Sequence, residues 1–80
     1  MCGLLTKTQK AIIEDLEKKG IDTSLLRTQF QVVEVLLTDV FMADLEKLLD
    51  IAKKYDGFIR FYAEDDKVVC RFHDYKVIEQ

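Results

Sequence analysis

The feature that most constrains the fold is the segment GFIRFYAEDDKVVCRFH, residues 57–73, in which two alternating strands flank a pair of aspartates. Aspartate tolerates the left-handed backbone that a tight turn requires, so Asp65-Asp66 predicts a two-residue β-hairpin. With a loop of this length, Glu64 faces Lys67, and the pairing of all the other residues follows. The segment therefore predicts both a hairpin and its register.

Both faces of this hairpin are chemically coherent, and one of them is uniformly apolar, which supports the register. The apolar face pairs Ile59 with Phe72, Phe61 with Cys70, and Ala63 with Val68. The other face pairs Phe58 with His73, Arg60 with Arg71, and Tyr62 with Val69. A shift of one residue would mix apolar and charged side chains on both faces. We therefore expect the apolar face to pack on helices.

The rest of the chain predicts two helices and one further strand. Thr6 and Gln9 form a Thr-x-x-Gln capping box for a helix over residues 7–19, which Gly20 ends. Residues 28–38 are rich in β-branched and aromatic side chains and predict a single strand. A second helix is predicted over residues 40–55, with Asp39 or Thr38 as its cap and Gly57 after its end. Its predicted buried stripe consists of Phe41, Leu45, Leu48, Leu49 and Ala52.

These elements predict one α+β domain over residues 1–80, in the order α-β-α-β-β, with a further short strand at residues 76–79. A strand–helix–strand crossover is right-handed and makes its two strands parallel, so the predicted sheet is mixed, with three or four strands. Two helices cover one face of this sheet, and nothing in the sequence covers the other. Because a domain of this size buries little surface, we expect a homodimer or a higher homo-oligomer.

Composition excludes several classes of chemistry. Cys2, Cys70 and His73 are the only cysteines and histidine, too few for a structural zinc site within one chain, and no cofactor is expected. Cys70 and His73 are three residues apart on a strand and point to opposite faces, so they do not form half of a metal site. A Ser-His or Cys-His pair would have only His73 as its base.

An enzyme is also not expected from the amino terminus. Met1-Cys2-Gly3 resembles the start of class II glutamine amidotransferases, in which an N-terminal cysteine is the nucleophile. In those enzymes a strand follows the cysteine within a large layered domain, whereas here a capped helix begins at Thr6. The thiol of Cys2 is therefore interpreted as incidental, and the protein as non-enzymatic.

Charge and hydropathy predict a cytoplasmic protein with reduced thiols and no membrane partner, because neither a signal peptide nor a long apolar run is present. The net charge of −3 argues against broad attraction to nucleic acid but not against a local site. The chain has no asparagine and is 34% charged, a composition that is typical of thermophilic proteins.

The open sheet face is the candidate binding site. Its predicted site residues are Phe30, Phe58, Arg60, Tyr62, Arg71 and His73. Two arginines that oppose each other destabilise a sheet, which favours a functional reason for the pair. Exposed sheet aromatics stack on bases, and arginines bind phosphates or stack on bases. The face therefore predicts a module that binds single-stranded nucleic acid.

Two other interpretations of this face stay open. It could be a homo-oligomeric interaction or structural surface, with Glu34 neutralising one arginine and no nucleic acid bound. Alternatively, both arginines extend over the rim of the face as solvated charges. A dimer or tetramer could also enclose a nucleic-acid strand between its sheets.

The strands FIRFY and VVCRFH, together with the element order, resemble the ThermoDBP-type archaeal single-stranded DNA-binding domains. The similarity extends over most of the chain as organisation. It implies an open sheet cleft, lined by hydrophobic and basic residues, that holds single-stranded DNA. It also implies that oligomers complete the site.

Overall fold

A computed structural model describes residues 5–77 of the chain, so that Cys2 and the end of the predicted terminal strand lie outside the described residues. The elements are α1 (Lys7–Lys18), β1 (Leu26–Gln29), β2 (Val32–Leu37), α2 (Met42–Lys54), β3 (Phe58–Glu64) and β4 (Lys67–His73). The α+β class is as predicted, but the order is α-β-β-α-β-β.

The predicted capping box of α1 and its stop at Gly20 are confirmed, and the helix ends one residue earlier than predicted, at Lys18. The hydroxyl of Thr6 accepts a hydrogen bond from the Gln9 backbone N–H (3.1 Å), and the Gln9 side chain accepts one from the Thr6 N–H (2.9 Å). Gly20 adopts a left-handed conformation (φ +81°), and the Ile21 N–H donates to the Leu16 carbonyl (3.0 Å). These bonds satisfy backbone groups that a helix end leaves without partners.

The register of the β3–β4 hairpin is also confirmed. Glu64 pairs with Lys67, Arg60 with Arg71, and Phe58 with His73. Asp65 takes the left-handed conformation of the turn (φ 56°). Because opposed residues share a face, this register places the apolar face, with Ile59, Val68, Cys70 and Phe72, on the side of the helices.

The prediction of one strand over residues 28–38 was wrong, because this segment is part of a second hairpin. Phe30 and Gln31 form its turn, and Gln31 is left-handed (φ 58°). The turn lacks glycine, asparagine and aspartate, the residues by which such turns are recognised. A tertiary contact supports it instead, since the buried Gln9 amide donates to the carbonyls of Gln29 and Val32.

The predicted mixed sheet was wrong for a related reason. The four strands lie in the order β1-β2-β4-β3, and each adjacent pair is antiparallel. Helix α2 does connect two strands that run in the same direction, β2 and β3. However, β4 lies between them and pairs with both, so no parallel pair forms.

Both helices pack on one face of the sheet, as predicted. The buried core contains Ile12, Leu16, Ile21, Val33, Val35, Leu37, Leu48, Ile51, Ala52, Tyr55, Cys70, Phe72 and Tyr75. The Tyr55 hydroxyl donates to Asp15 (2.7 Å) and ties α2 to α1. No helix within residues 5–77 has the length and apolar content needed to cross a membrane.

Two details of α2 differ from the prediction. The helix begins later, and the Asp44 carboxylate accepts a hydrogen bond from the Phe41 N–H (3.0 Å), so neither Asp39 nor Thr38 is the cap. Phe41 and Leu49 are exposed, whereas Ile51 and Tyr55 are buried. Because both flanks of α2 carry apolar residues, the sequence pattern does not identify the buried stripe. The orientation of the helix against α1 and the sheet determines it.

The segment after β4 packs beside Gly57 and the end of α2. Tyr75 is buried in the core, and residues 74–77 form no strand. A Cβ atom at position 57 would lie 2.6 Å from the Cβ of Tyr75, so Gly57 is required by close packing. The Lys76 N–H donates to the Tyr55 carbonyl (2.7 Å) and holds this segment in place.

Candidate functional site

One row of charged side chains crosses the open face at right angles to the strands. The register places Arg27 opposite Glu34, Glu34 opposite Arg71, and Arg71 opposite Arg60. The opposed arginines predicted from the sequence are therefore neighbours, and a glutamate lies on the far side of one of them. This row separates two parts of the face that differ in their exposure.

Glu34 compensates the arginines beside it. Its side chain is 4% exposed, and a buried carboxylate is costly unless it is paired and hydrogen-bonded. It accepts hydrogen bonds from Arg27 Nε (2.9 Å), from the Tyr62 hydroxyl (2.7 Å) and, at 3.4 Å, from Arg71 Nη1. The pair of arginines therefore has a structural counter-charge.

Arg27 also closes one half of the face. Its guanidinium donates two hydrogen bonds to Glu64 (2.6 and 3.0 Å), so the side chain reaches from β1 to β3. Val69 points to the open face opposite Tyr62, yet it is fully buried and lies outside the core cluster. Side chains of the open face must therefore cover it. We call Arg27, Glu34, Tyr62 and Glu64 the roofed half.

The hydrogen bonds of the roofed half shift the pKa values of Glu64 and Tyr62. The bond from Arg27 lowers the pKa of Glu64 below its ordinary value, because it stabilises the charged carboxylate. The bond to Glu34 raises the pKa of Tyr62, because the carboxylate favours the protonated phenol as its donor. Both shifts favour the protonation states that keep the network together at neutral pH.

The other half of the face is an open cleft of about 450 Å³. Its lining consists of Phe30, Gln31, Val32, Arg60, Arg71, His73 and Asp74. Phe30, at the β1–β2 turn, is 83% exposed. The His73 ring stacks on the exposed Phe58 ring, with centroids 5.8 Å apart and an angle of 19° between planes. We call this half the cleft.

The charges of the cleft are less compensated than those of the roofed half. Arg60 is exposed and has no ion-pair partner within residues 5–77. Arg71 shares Glu34 with Arg27 and keeps about a third of its side chain exposed (33%). The acidic residue in the lining of the cleft is Asp74, and its carboxylate lies 2.9 Å from Nδ1 of His73 and not against an arginine. An exposed guanidinium in this position can bind an anion.

The structure brings most of the predicted site residues together. Phe30, Arg60, Arg71 and His73 line the cleft, and Phe58 stacks behind His73. Tyr62 lies instead in the roofed half, where its hydroxyl is bound to Glu34. Phe30 comes from a turn, not from the sheet face on which it was predicted.

Sequence reasoning missed Arg27, Gln31 and Asp74. Arg27 was not predicted as a partner of Glu34, because residues 28–38 were interpreted as one strand that began after it. Had the turn at Phe30 and Gln31 been recognised, a two-residue loop would have placed Arg27 opposite Glu34. The missed contribution was therefore a consequence of the missed hairpin.

The described residues contain no cluster of three or more His, Cys, Asp or Glu side chains that could hold a metal ion. Cys70 faces the core and His73 the cleft, as predicted from their spacing. Burial raises the pKa of the Cys70 thiol to about 11, so the nucleophilic thiolate is scarce at neutral pH.

The ThermoDBP-type resemblance stays a prediction, and the α-β-α-β-β order that contributed to it is replaced by α-β-β-α-β-β. The function of this face is therefore argued from its geometry and its charges. No family model matches the chain, and comparison with curated proteins and with solved structures found no match either.

Proposed function

We propose that the chain is a non-enzymatic module that binds single-stranded nucleic acid in the cleft. The observation that carries this proposal is the arrangement of the cleft, in which two arginines line the same concavity as the exposed ring of Phe30 and the His73 ring that stacks on Phe58. One concavity thus offers guanidinium groups that can bind an anion and aromatic rings on which a base can stack. Single-stranded nucleic acid presents phosphates and unstacked bases together.

Arg60 and Arg71 are the proposed phosphate contacts. Arg60 has no competing carboxylate within residues 5–77, and Arg71 is only weakly held, at 3.4 Å from Glu34. A guanidinium presents a planar fork of donors that matches phosphate oxygens. The acidic charge of the whole chain weakens long-range attraction but leaves this local contact intact.

Phe30 and the His73–Phe58 pair are the proposed stacking surfaces. Stacking of a base on an exposed ring tolerates any sequence, because every base has a flat π face. Phe30 lies in a turn whose flanking carbonyls accept hydrogen bonds from the Gln9 amide. The backbone position of Phe30 is therefore fixed, although its ring is exposed to solvent. Tyr62 is not one of these stacking surfaces, because its hydroxyl is bound to Glu34 in the roofed half.

A second candidate is a homo-oligomeric interface on the same face, without nucleic acid. The compensation of Arg71 by Glu34 favours it, because the opposed arginines then need no ligand. The exposed rings of Phe30 and Phe58 would be buried against a second copy. Such a face-to-face dimer would close the cleft, so the two candidates predict different binding.

The test is a fluorescence-anisotropy titration of labelled single-stranded DNA and RNA at several salt concentrations. With two phosphate contacts, the logarithm of the association constant should fall with the logarithm of salt with a slope of about −1.4. Arg60→Ala should weaken binding about tenfold, since it removes a charged hydrogen bond. Arg27→Ala is the matched control from the same row and should leave the affinity nearly unchanged.

Absence of binding at low salt contradicts the proposal, and so does an equal loss in the two arginine variants. Light scattering then distinguishes the second candidate. The face is an interface if the parent chain is dimeric and binds no nucleic acid, and if the double variant Phe30→Lys with Phe58→Lys is monomeric.

A further inference from the structure

Strand β3 forms one edge of the sheet, and within residues 5–77 no strand pairs with its outer side. This strand has seven residues. Its Phe61 lies on the helix side of the sheet and is 38% exposed. A long, apolar edge with unpaired backbone groups tends to add another strand. The opposite edge, β1, is shorter and more polar, with four residues.

The backbone groups on the outer side of β3 can be assigned from the turn. A two-residue hairpin loop makes Glu64 and Lys67 a hydrogen-bonded pair, and the pattern alternates along the strand. Tyr62 and Arg60 therefore direct their N–H and C=O groups toward β4. Ala63, Phe61 and Ile59 direct theirs outward, where they are available to another strand.

We infer that two copies of the chain pair through their β3 edges, antiparallel and about a twofold axis at Phe61. In this register Phe61 opposes itself, and Ile59 opposes Ala63 of the second copy, so all the outward groups find partners. Arg60 opposes Tyr62 of the second copy, and no like charges face each other. This is a self-complementary contact, which is what twofold symmetry requires.

Charge neither selects nor opposes this register. Arg60 lies diagonal both to Glu64 and to Arg60 of the second copy, each at the separation of about 7–8 Å that is typical of diagonal neighbours. The attraction between Arg60 and Glu64 offsets the repulsion between the two arginines. Because the diagonal distance exceeds a hydrogen bond, Arg60 remains available to the cleft.

Helix α2 extends the interface beyond the strand. Its Lys54 pairs with Asp15 of α1, so this flank faces the other helix, while α2 also packs on β3. The opposite flank carries Leu45 and Leu49, one helical turn apart, and Leu49 is 45% exposed. Twofold pairing of β3 brings these flanks of the two copies together on the helix side of the sheet.

The dimer deepens the proposed function, and this part of the inference rests on it. Directly opposed residues of antiparallel strands lie on the same face, so both clefts open to the same side of an eight-stranded sheet. One nucleic-acid strand can then occupy both clefts, which raises its affinity through effective concentration. A face-to-face dimer would instead bury both clefts.

Position 61 gives a direct test, because any charge placed there meets itself across the axis. In analytical ultracentrifugation the parent chain should sediment at twice the 9.3 kDa chain mass. Phe61→Lys and Phe61→Glu should each fall to a single chain mass, while an equimolar mixture of the two should recover the double mass. Native mass spectrometry of the mixture should show only the mixed dimer.

Phe41→Lys is the control, since Phe41 is also exposed but lies at the start of α2, away from β3. It should remain dimeric. A monomeric parent, a dimer that persists in either single variant, or a mixture that stays monomeric overturns the inference. Circular dichroism of each variant confirms folding, and recovery of the dimer in the mixture does so independently.

Nucleic-acid binding is measured separately on the monomeric Phe61→Lys and Phe61→Glu variants. Both should bind an oligonucleotide that fills one cleft and should lose the additional affinity for a strand that spans two. If the parent binds the short strand but is monomeric, the dimer is contradicted and the proposed function stands. If the parent is dimeric but does not bind the short strand, the proposed function is contradicted and the dimer stands.

Discussion

The roofed half and the cleft are built on the same strands and share one row of charges, yet they differ in exposure. In the roofed half, Arg27 is bound by Glu34 and Glu64, and Val69 beneath is inaccessible. In the cleft, Arg60 is exposed and has no ion-pair partner within residues 5–77. Arginine content alone therefore does not distinguish a binding surface from a structural one.

The difference depends on where the carboxylates lie. Glu34 and Glu64 both contact Arg27, whereas Arg71 receives only the longer contact to Glu34. A guanidinium that already holds two carboxylates has few free donors for a ligand. The comparison predicts that changes in the roofed half act on stability and that changes in the cleft act on binding.

The largest effect is expected from Glu34→Gln. The substitution leaves Arg27 and Arg71 without their shared counter-charge and should lower the free energy of unfolding by about 2 kcal/mol, the scale of a lost hydrogen bond to a charged group. Urea denaturation followed by circular dichroism measures it. Glu64→Gln, in the same network but with a side chain 38% exposed, is the control and should cost much less. Equal costs for both would contradict a special role for the buried carboxylate.

The next effect is expected from Phe30→Ala, which removes a stacking surface of the cleft. Affinity for single-stranded nucleic acid should fall about tenfold, since stacking contributes roughly 1–3 kcal/mol per base. Stability should hardly change, because the ring is 83% exposed in the native state. Phe41→Ala is the matched control, 68% exposed but on the helix side, and should not alter affinity. Equal behaviour of the two variants in anisotropy titrations would remove Phe30 from the site.

A smaller effect is expected from Gln31→Gly in the turn that carries Phe30. Gln31 is left-handed (φ 58°), a conformation that glycine adopts without steric cost. The free energy of unfolding should rise by about 0.5 kcal/mol, after the entropy of glycine in the unfolded chain is subtracted. Thermal and urea denaturation measure this gain, and Asp65→Gly in the other turn (φ 56°) is the comparison. A loss of stability would show that the Gln31 side chain supports the cleft.

The smallest effect concerns pH. Because Arg27 lowers the folded-state pKa of Glu64, the pair contributes stability above the unfolded-state pKa, and this contribution is lost as pH falls through the lower folded-state value. Carboxyl NMR titration should give Glu64 a pKa below the ordinary value of 4.5. In Arg27→Ala it should return toward that value. An unchanged titration in the variant would mean that the bridge from β1 to β3 does not form in solution.

The two hairpins show how far sequence patterns extend. The β3–β4 register was predicted residue by residue, because Asp65-Asp66 is recognisable as a turn and one face of the hairpin is uniformly apolar. The β1–β2 hairpin was missed, because Phe30 and Gln31 have no turn preference and the flanking residues all favour strands. What stabilises this turn is Gln9, a residue of α1 that local patterns cannot associate with it.

The candidate site divides in the same way. Four of its six predicted residues line the cleft, because strand alternation alone assigns Arg60, Arg71 and His73 to one face, and Phe30 joins them from its turn. Alternation does not reveal that Tyr62 is bound or that Arg60 is free. Those outcomes depend on which side chains reach Glu34, which lies on β2 and not on the strand of Tyr62 and Arg60.

Local sequence decides the α1 cap, the β3–β4 register and the separation of an apolar face from a charged one, since each depends on residues close in the chain. The order of the strands is different, because it depends on which edges meet after α2 packs on the sheet. Arg27 and Glu64 are 37 residues apart, and only the insertion of β4 between β2 and β3 sets the span that the guanidinium crosses. The tertiary structure thus decided which arginine became part of the roof and which stayed exposed in the cleft.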